Sequence, residues 1–499
     1  MNTRALLRRT FDRVRRLPAG AVLLGAGIGC GGGEAASAPS SGGTPTLPPT
    51  ASFVITSSDA ANRVLPFTYT CDGDAKSPPL AWSGAPAGTT QFALLMTTIP
   101  SQGSTKYNWV LYGIPSGTVS IPVGTSVGTV GQADDGAGTN YAPPCSQGPG
   151  AKEYTFTLYA LSSAPSLDGA NPAQVTGATL VNAIADRTLA KATLTVTVNR
   201  TVAMINCGYV RNSVAAYRTA TAVDVTCDST YAAISTLGIQ SRHAMMTGIR
   251  ATNQQVPVPQ NFTGTNAWRI PLTPVVAGTK VSAVDGPIGI AVNGVPIFNP
   301  CKQGGCSGPG GGDTKVLGEL DTCNGHAGRA DDYHYHAAPI CMMSDQNAAY
   351  WDTHPLGWAL DGYAIFGYRN PDGTTAPRDA VCGGNTVTHP NAPAGYAYHV
   401  TEVSPYILSC LFGVPSPDLA GQGGKYQPLR PPGTPMPSTN MTLDATAASL
   451  AIGGTSTMRW QNGAAAYQIR YTRTSAACWT FSFVTNGAET SSANYCRSR

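Results

Sequence analysis

Charged residues are scarce in this 499-residue chain: Asp, Glu, Lys and Arg make up only 12% of it, about half the fraction usual in soluble domains. No run of 18 apolar residues occurs, so no helix of ordinary membrane-spanning length is expected. Catalytic signatures are few as well. There is no His-Glu-x-x-His, no phosphate-binding P-loop and no glycine fingerprint set between a strand and a helix. The run Gly308-Pro309-Gly310-Gly311-Gly312 lacks that context and reads as a loop. Turn residues, by contrast, are plentiful, with 57 glycines and 39 prolines. They predict short strands joined by many turns rather than long helices. At about 100–200 residues per domain, two to four domains are expected.

The formal charge of +4 is concentrated at the start. Arg4, Arg8, Arg9, Arg13, Arg15 and Arg16 precede a short apolar stretch, Leu17–Gly29, that ends at Cys30. A basic region, an apolar region and small residues before a cut site mark a secretory signal, here residues 1–29. The Gly29-Cys30 junction, followed by three glycines, resembles a bacterial lipoprotein signal, and Arg8-Arg9-Thr10-Phe11 resembles a twin-arginine export signal. The first resemblance implies that Cys30 carries the lipid anchor of an exported protein of the periplasm or cell surface. Without residues 1–29 there remain 25 basic and 26 acidic residues, a net charge of −1. Nucleic acid is therefore not an expected partner, and the membrane is expected to be engaged through the lipid alone. Residues 30–50 then form anchor and flexible tether. Of the 13 cysteines, setting Cys30 aside leaves twelve, an even set that reads as disulfides in an exported protein.

Residues 51–200 read as a first, β-rich domain. Short β-type runs recur at Phe53–Ser57, Gln91–Met96, Trp109–Ile114, Tyr154–Ala160 and Ala192–Asn199. One helix is expected near Ala178–Leu189, with Leu180, Val181, Ile184 and Leu189 on one face. The segments Tyr69–Gly73, Ser77–Trp82, Asn108–Pro115 and Tyr154–Leu161 follow in an order similar to that of the phosphatidylethanolamine-binding protein family. That resemblance implies a small anion pocket built from an Asp-Pro-Asp motif and two histidines. Here Thr98-Ile99-Pro100 stands in the first place, Asn108 in the second and Lys152 near the third. The family's acid–imidazole arrangement cannot form, so Thr98, Asn108 and Lys152 outline a degenerate ligand pocket. Cys71 and Cys145 border the pocket in the family, which implies that they pair.

Residues 201–430 contain an internal repeat. Ile290–Phe298 aligns with Trp358–Phe366 at an offset of 68. Downstream of the first copy come Asp321, Cys323, Gly325, Tyr333-His334-Tyr335-His336 and Cys341. Downstream of the second come Asp379, Cys382, Gly384, Tyr396-Ala397-Tyr398-His399 and Cys410. Two similar halves, about 288–341 and 356–410, are expected. Order within the copies suggests the bridges Cys323–Cys341 and Cys382–Cys410, and near neighbours suggest Cys207–Cys227, Cys301–Cys306 and Cys478–Cys496. Cysteine-bound zinc is disfavoured outside a reducing compartment.

Six of the seven histidines fall between residues 326 and 399. In Tyr-His-Tyr-His a strand puts both imidazoles on one face, about 7 Å apart, and both tyrosines on the other. Two such imidazoles can converge on one metal, with His326 or His399 completing a three-nitrogen set. Zinc and copper are the candidate ions. A buried polar network and metal-free acid–base chemistry stand as alternatives. His243 is expected in packing, and His354 and His389, each beside a proline, on the surface. The motif, with Gly318–Asp321, Gly325–Asp332 and Leu360–Tyr363, resembles the YHYH domain family over about 204–415.

Residues 431–499 read as a Pro-rich linker and a small β unit closed by Cys478–Cys496, stable only through that bridge or by docking. The expected fold class is mainly β (β-rich α+β) and multidomain. Its expected role is that of an envelope lipoprotein binding a metal or small ligand. A metal-dependent hydrolase or oxidoreductase using His334 and His336, and a structural module without metal, are the alternatives.

Overall fold

The computed structural model describes residues 52–497, apart from 102, 168, 252–254, 283–285, 303, 308–310, 329, 421–424, 427–428 and 430–438. The export signal, the tether and Cys30 lie outside the described residues. Among the described residues no helix is long and apolar enough to cross a membrane.

The first domain is built on a sheet with strand order β6-β4-β3-β7-β8. Its strands are β3 (Gln91–Thr98), β4 (Lys106–Pro115), β6 (Thr129–Val130), β7 (Gly150–Leu161) and β8 (Thr188–Arg200). A smaller sheet, β1 (Val54–Thr56), β2 (Leu80–Ser83) and β5 (Ser120–Ile121), packs against it. The alternation along β3 explains why the larger sheet is buried on both sides. Phe92, Leu94 and Met96 join Trp82, Trp109 and Phe156 on one face. Ala93 and Leu95 join Val110, Leu161 and Leu180 on the other, under helix α1 (Gly177–Ala183). Thr176 caps α1, its hydroxyl accepting from the Thr179 amide at 3.1 Å. The helix is shorter than the periodicity suggested, because residues from Thr188 onward pair with β7 and carry Leu189 to the exposed face.

Helix α2 (Val202–Ser213) leads into the second domain. Arg200, at the end of β8, donates from Nε and Nη2 to the Asp72 carboxylate at 2.6 Å each, a forked pair at this junction. The central feature beyond it is an eight-stranded sheet. Its strands are β13 (Pro287–Ala291), β14 (Pro296–Phe298), β15 (Gly325–Ala327), β16 (Tyr333–Tyr335), β17 (Gly357–Ala359), β18 (Ala364–Phe366), β19 (Gly384–Asn385) and β20 (Ala397–His399). Their order is β15-β16-β14-β13-β17-β18-β20-β19, and the pairing directions read the same from either edge. The hairpins β13–β14 and β17–β18 turn on Asn293-Gly294 and Asp361-Gly362, whose glycines have φ of 84° and 92°. A side chain there would be strained, and its Cβ would also strike Thr236 or Pro271. A three-stranded sheet and a two-stranded ribbon flank this assembly: β9 (Asp224–Cys227), β10 (Tyr231–Ser235) and β11 (Trp268–Pro271), then β12 (Val276–Ser282) with β21 (Cys410–Gly413).

The C-terminal strands β22 (Thr439–Asp444), β23 (Thr455–Asn462), β24 (Ala465–Arg473), β25 (Cys478–Thr485) and β26 (Ala488–Cys496) form a meander. Its Met458, Trp460, Tyr471, Trp479 and Phe481 belong to the same continuous apolar cluster as Trp268, Phe262 and Trp358 of the second domain. Tyr471 donates its hydroxyl to the Pro257 carbonyl at 3.0 Å, and Arg497 reaches that of Pro259 at 2.6 Å. Docking as well as the bridge therefore holds the small unit. Six disulfides close: Cys71–Cys145, Cys207–Cys227, Cys301–Cys306, Cys323–Cys341, Cys382–Cys410 and Cys478–Cys496.

Because the meander shares the core of the second domain, Trp479→Ala should cost about 3–5 kcal/mol and lower the unfolding of both together. Calorimetry should show one shifted transition there. A separate early transition of the meander alone would contradict the shared core.

Candidate functional site

The strand β16 sorts its side chains by the period of two. Tyr333 and Tyr335 lie on one face with their rings edge to face, 5.7 Å apart. Tyr333 donates to the Asp321 carboxylate at 2.7 Å, and the Tyr335 hydroxyl accepts from Asn293 Nδ2 at 3.0 Å. Asp321 also receives the amides of Met246, Cys323 and Gly325. Burial nevertheless outweighs these bonds and raises its carboxyl to about 6.

His334 and His336 stand on the opposite face. His326, across the antiparallel pair β15–β16, is directly opposite His334. The His336 Nε2 lies 3.0 Å from the Nε2 of His334 and 3.0 Å from that of His326. The ligand atoms of all three lie within 4.8 Å of one another, so the triad could hold a metal ion. The other edge of each ring faces oxygen. His334 Nδ1 meets Asp332 Oδ2 at 3.0 Å, His336 Nδ1 meets the Asn299 carbonyl, and His326 is hydrogen-bonded to the backbone of Glu319. Carboxylate and carbonyl oxygens only accept, so the Nδ1 atoms of His334 and His336 carry the protons and their Nε2 atoms offer lone pairs. Phe298 stacks on His334 with centroids 3.8 Å apart and meets His336 edge-on. Burial and the neighbouring imidazoles hold the protonation of His326 and His336 well below the ordinary histidine range.

His399 does not join this triad. It lies on β20, five strands from β16 in the sheet order, which at about 4.8 Å per strand is about 24 Å away. Its Nδ1 faces the Gly367 carbonyl at 2.9 Å, and its ring faces His389 with centroids 5.2 Å apart. His389 is not on the surface: its ring is buried against Phe366, centroids 3.7 Å apart. The proline beside it sets the loop backbone but says nothing about where the ring goes. His354 is half-buried and stacks on Tyr350, and His243 pairs with Asp345 at 2.9 Å.

In the first domain, Thr98, Asn108 and Lys152 border one cleft of about 1030 Å³. Thr98 donates to the Glu153 carbonyl at 2.8 Å, and Asn108 Nδ2 to that of Ala142 at 3.2 Å. The Asn108 Oδ1 is buried without a partner. Cys145 is part of the wall, fastened to Cys71. The pentapeptide Gly124-Thr125-Ser126-Val127-Gly128 has the spacing of a nucleophile elbow but lies in turns between β5 and β6. No helix follows it, and the first domain has no histidine to act as its base.

A histidine whose folded pKa lies below its unfolded value stabilises the fold above about pH 6.5 and loses that contribution as pH falls toward the folded value. His389 is lowered to about 4 by burial and by His399, in the same direction as His326 and His336. Between about pH 6.5 and 4 chelator-stripped wild type should lose more stability than His389→Phe, while the raised Asp321 carboxyl works in the opposite direction in both. Urea midpoints of the two proteins across that window measure the difference, and identical pH dependence would refute a buried neutral His389.

Comparison with known proteins follows this geometry. Residues 29–199 match the family model described as phosphatidylethanolamine-binding protein, and residues 267–381 match that described as YHYH protein. "Putative lipoprotein LppC" of Mycobacterium tuberculosis is 32% identical over 201 residues, covering 37% of this chain and 96% of that protein. A UPF0098 protein of Aquifex aeolicus is 36% identical over 104 residues, 20% of this chain and 61% of its own length. The solved Chlamydia trachomatis "Putative PhosphatidylEthanolamine-Binding Protein (PEBP) Homolog CT736" covers 30% of this chain and 98% of its own, with 23% identity and a TM-score of 0.27. The chain thus belongs to the phosphatidylethanolamine-binding protein family through its first domain and carries a YHYH domain after it.

Proposed function

We propose that this chain is an exported, lipid-anchored envelope protein that binds one zinc or copper ion through His326, His334 and His336. One observation carries the reading: the His336 Nε2 lies 3.0 Å from those of His334 and His326, and the ligand atoms of all three lie within 4.8 Å of one another. A purely structural network would need a donor between them. The Nδ1 protons of His334 and His336 already point to oxygen, so in the neutral rings Nε2 is a lone pair, and burial opposes an imidazolium at His336. A cation satisfies all three lone pairs at once. Asp332 and Asn299 would act as its outer support, fixing tautomer and ring orientation. Export is supported by six disulfides and by the lipoprotein name of the Mycobacterium tuberculosis relative.

We read the first domain as a binding scaffold of altered specificity, since its cleft sets Thr98, Asn108 and Lys152 at the expected positions, has no imidazole, and carries its acids at Asp135 and Glu153. We also read residues 288–341 and 356–410 as two copies of one unit. The strand order that reads alike from both edges supports this, as does the placing of Tyr335 and Tyr398 opposite Gly325 and Gly384. A hydrolase or oxidoreductase reading finds support in the donor set itself. Three nitrogens leave a coordination position for water, and His326 is the least buried of the three.

Purified full-length protein loaded with zinc should hold about one ion per chain, measured by elemental analysis after dialysis. The His334→Ala/His336→Ala double variant should hold none while keeping its circular dichroism. A wild type that retains no zinc or copper after loading would end the metal reading.

A further inference from the structure

The second half of the large sheet has lost two of the three imidazole positions of the first. The register that sets His326 opposite His334 in β15–β16 sets Asn385 opposite Ala397 in β19–β20. Asn385 is turned away: its Nδ2 donates to Asn370 Oδ1 and the Pro377 carbonyl, and its Oδ1 accepts from the Val387 amide. Only His399 remains in register with His336. Each bonds through Nδ1 to the carbonyl that follows the corresponding phenylalanine, Asn299 after Phe298 and Gly367 after Phe366.

The ring missing at Ala397 is supplied from elsewhere in the chain. In the first half His334 stacks on Phe298 with centroids 3.8 Å apart and planes at 19°. In the second, His389 stacks on Phe366 at 3.7 Å and 19°. The paired rings lie at similar spacings, 4.8 Å for His334 and His336 and 5.2 Å for His389 and His399. His389 therefore occupies in space the place that the repeat vacates in sequence. With its Nδ1 on Gly367, His399 keeps Nε2 as the ring nitrogen open to a ligand. This Nε2 is buried and has no hydrogen-bond partner, and His399 and His389 are 0% and 2% exposed. A buried polar atom without a partner is costly and calls for a cause.

We propose that His389 and His399 form a second, two-imidazole site for cuprous ion, separate from the triad. The donor set decides the ion. Zinc takes three or more protein ligands, and this pocket offers two neutral nitrogens. Among the described residues no carboxylate hydrogen-bonds to either ring. The nearby guanidinium of Arg378, held by the Gly383 and Ile407 carbonyls, repels a divalent ion more than a monovalent one. Imidazole is a good ligand for copper, and the monovalent ion accepts two-coordinate binding.

The test is anaerobic titration of the full-length protein with a cuprous salt against a chromogenic chelator, with zinc binding measured in parallel. Wild type should take up one cuprous ion more than His389→Phe, a variant that keeps the stacking on Phe366 but removes both nitrogens. His389→Phe should leave zinc binding at the triad intact. The His334→Ala/His336→Ala variant should lose zinc and still bind a cuprous ion, with X-ray absorption reporting two nitrogen donors. Should His389→Phe alter the circular dichroism, His399→Gln serves as the second probe, with the same loss expected. Equal cuprous uptake by wild type, His389→Phe and His399→Gln would overturn the proposal and leave the triad reading untouched.

Discussion

The side chains of Tyr333–His336 are divided between two faces by the geometry of an extended strand, and the rest of the second domain is arranged around that division. The two tyrosines enter a fully apolar interior, where each hydroxyl must find a partner or cost several kcal/mol. Asp321 and Asn293 supply those partners. Once the tyrosines are fixed, His334 and His336 have no choice of face. A slip of one residue in the β15–β16 register would exchange the two sets and bury imidazoles among Trp, Ile and Val. The hairpin turn at Asn293-Gly294 ties that constraint to the sheet, because the residue that makes the turn also holds Tyr335.

The two domains handle polarity in different ways. The second gathers its histidines, buried carboxylates and tyrosines around one large apolar cluster, with Asp321 and Asp361 each held by several donors. The first lines its cleft with a threonine and an asparagine bonded to backbone carbonyls, and sets Lys106, Asp135, Lys152 and Glu153 around them. Charges are few, and the second domain uses them in small clusters such as Asp418 with Arg269 and Lys425. Disulfides take a larger part, and the bridge between Cys71 and Cys145 spans 74 residues and fastens the cleft. The forked pair of Arg200 with Asp72 sits next to it at the domain junction.

Much of the fold was legible in local pattern. The alternating runs of the first domain and the near-neighbour cysteine pairs are carried by residues close in sequence. His334 and His336 were legible as a pair because period two is a property of one strand. His326 was open to recognition only as one of two third partners. The sequence could not choose between it and His399, since both follow the same ordering of features. Strand order chose, placing β15 beside β16 and β20 at the far side. His389 was misread because a proline neighbour reports on backbone shape and not on the direction of a ring.

By itself the amino-acid sequence determined the β-rich class, an even set of cysteines after Cys30, the near-neutral charge after residue 29 and the face on which the Tyr-His-Tyr-His imidazoles stand. These follow from composition, short-range order and the two-residue period, which need no knowledge of distant contacts. The tertiary structure alone decided which third imidazole meets the pair and that the C-terminal meander shares a core with the domain before it. It also decided that a loop histidine stacks on Phe366 beside His399. Each of these is a meeting of segments far apart in the chain, set by strand order and by the packing of rings against Phe298 and Phe366.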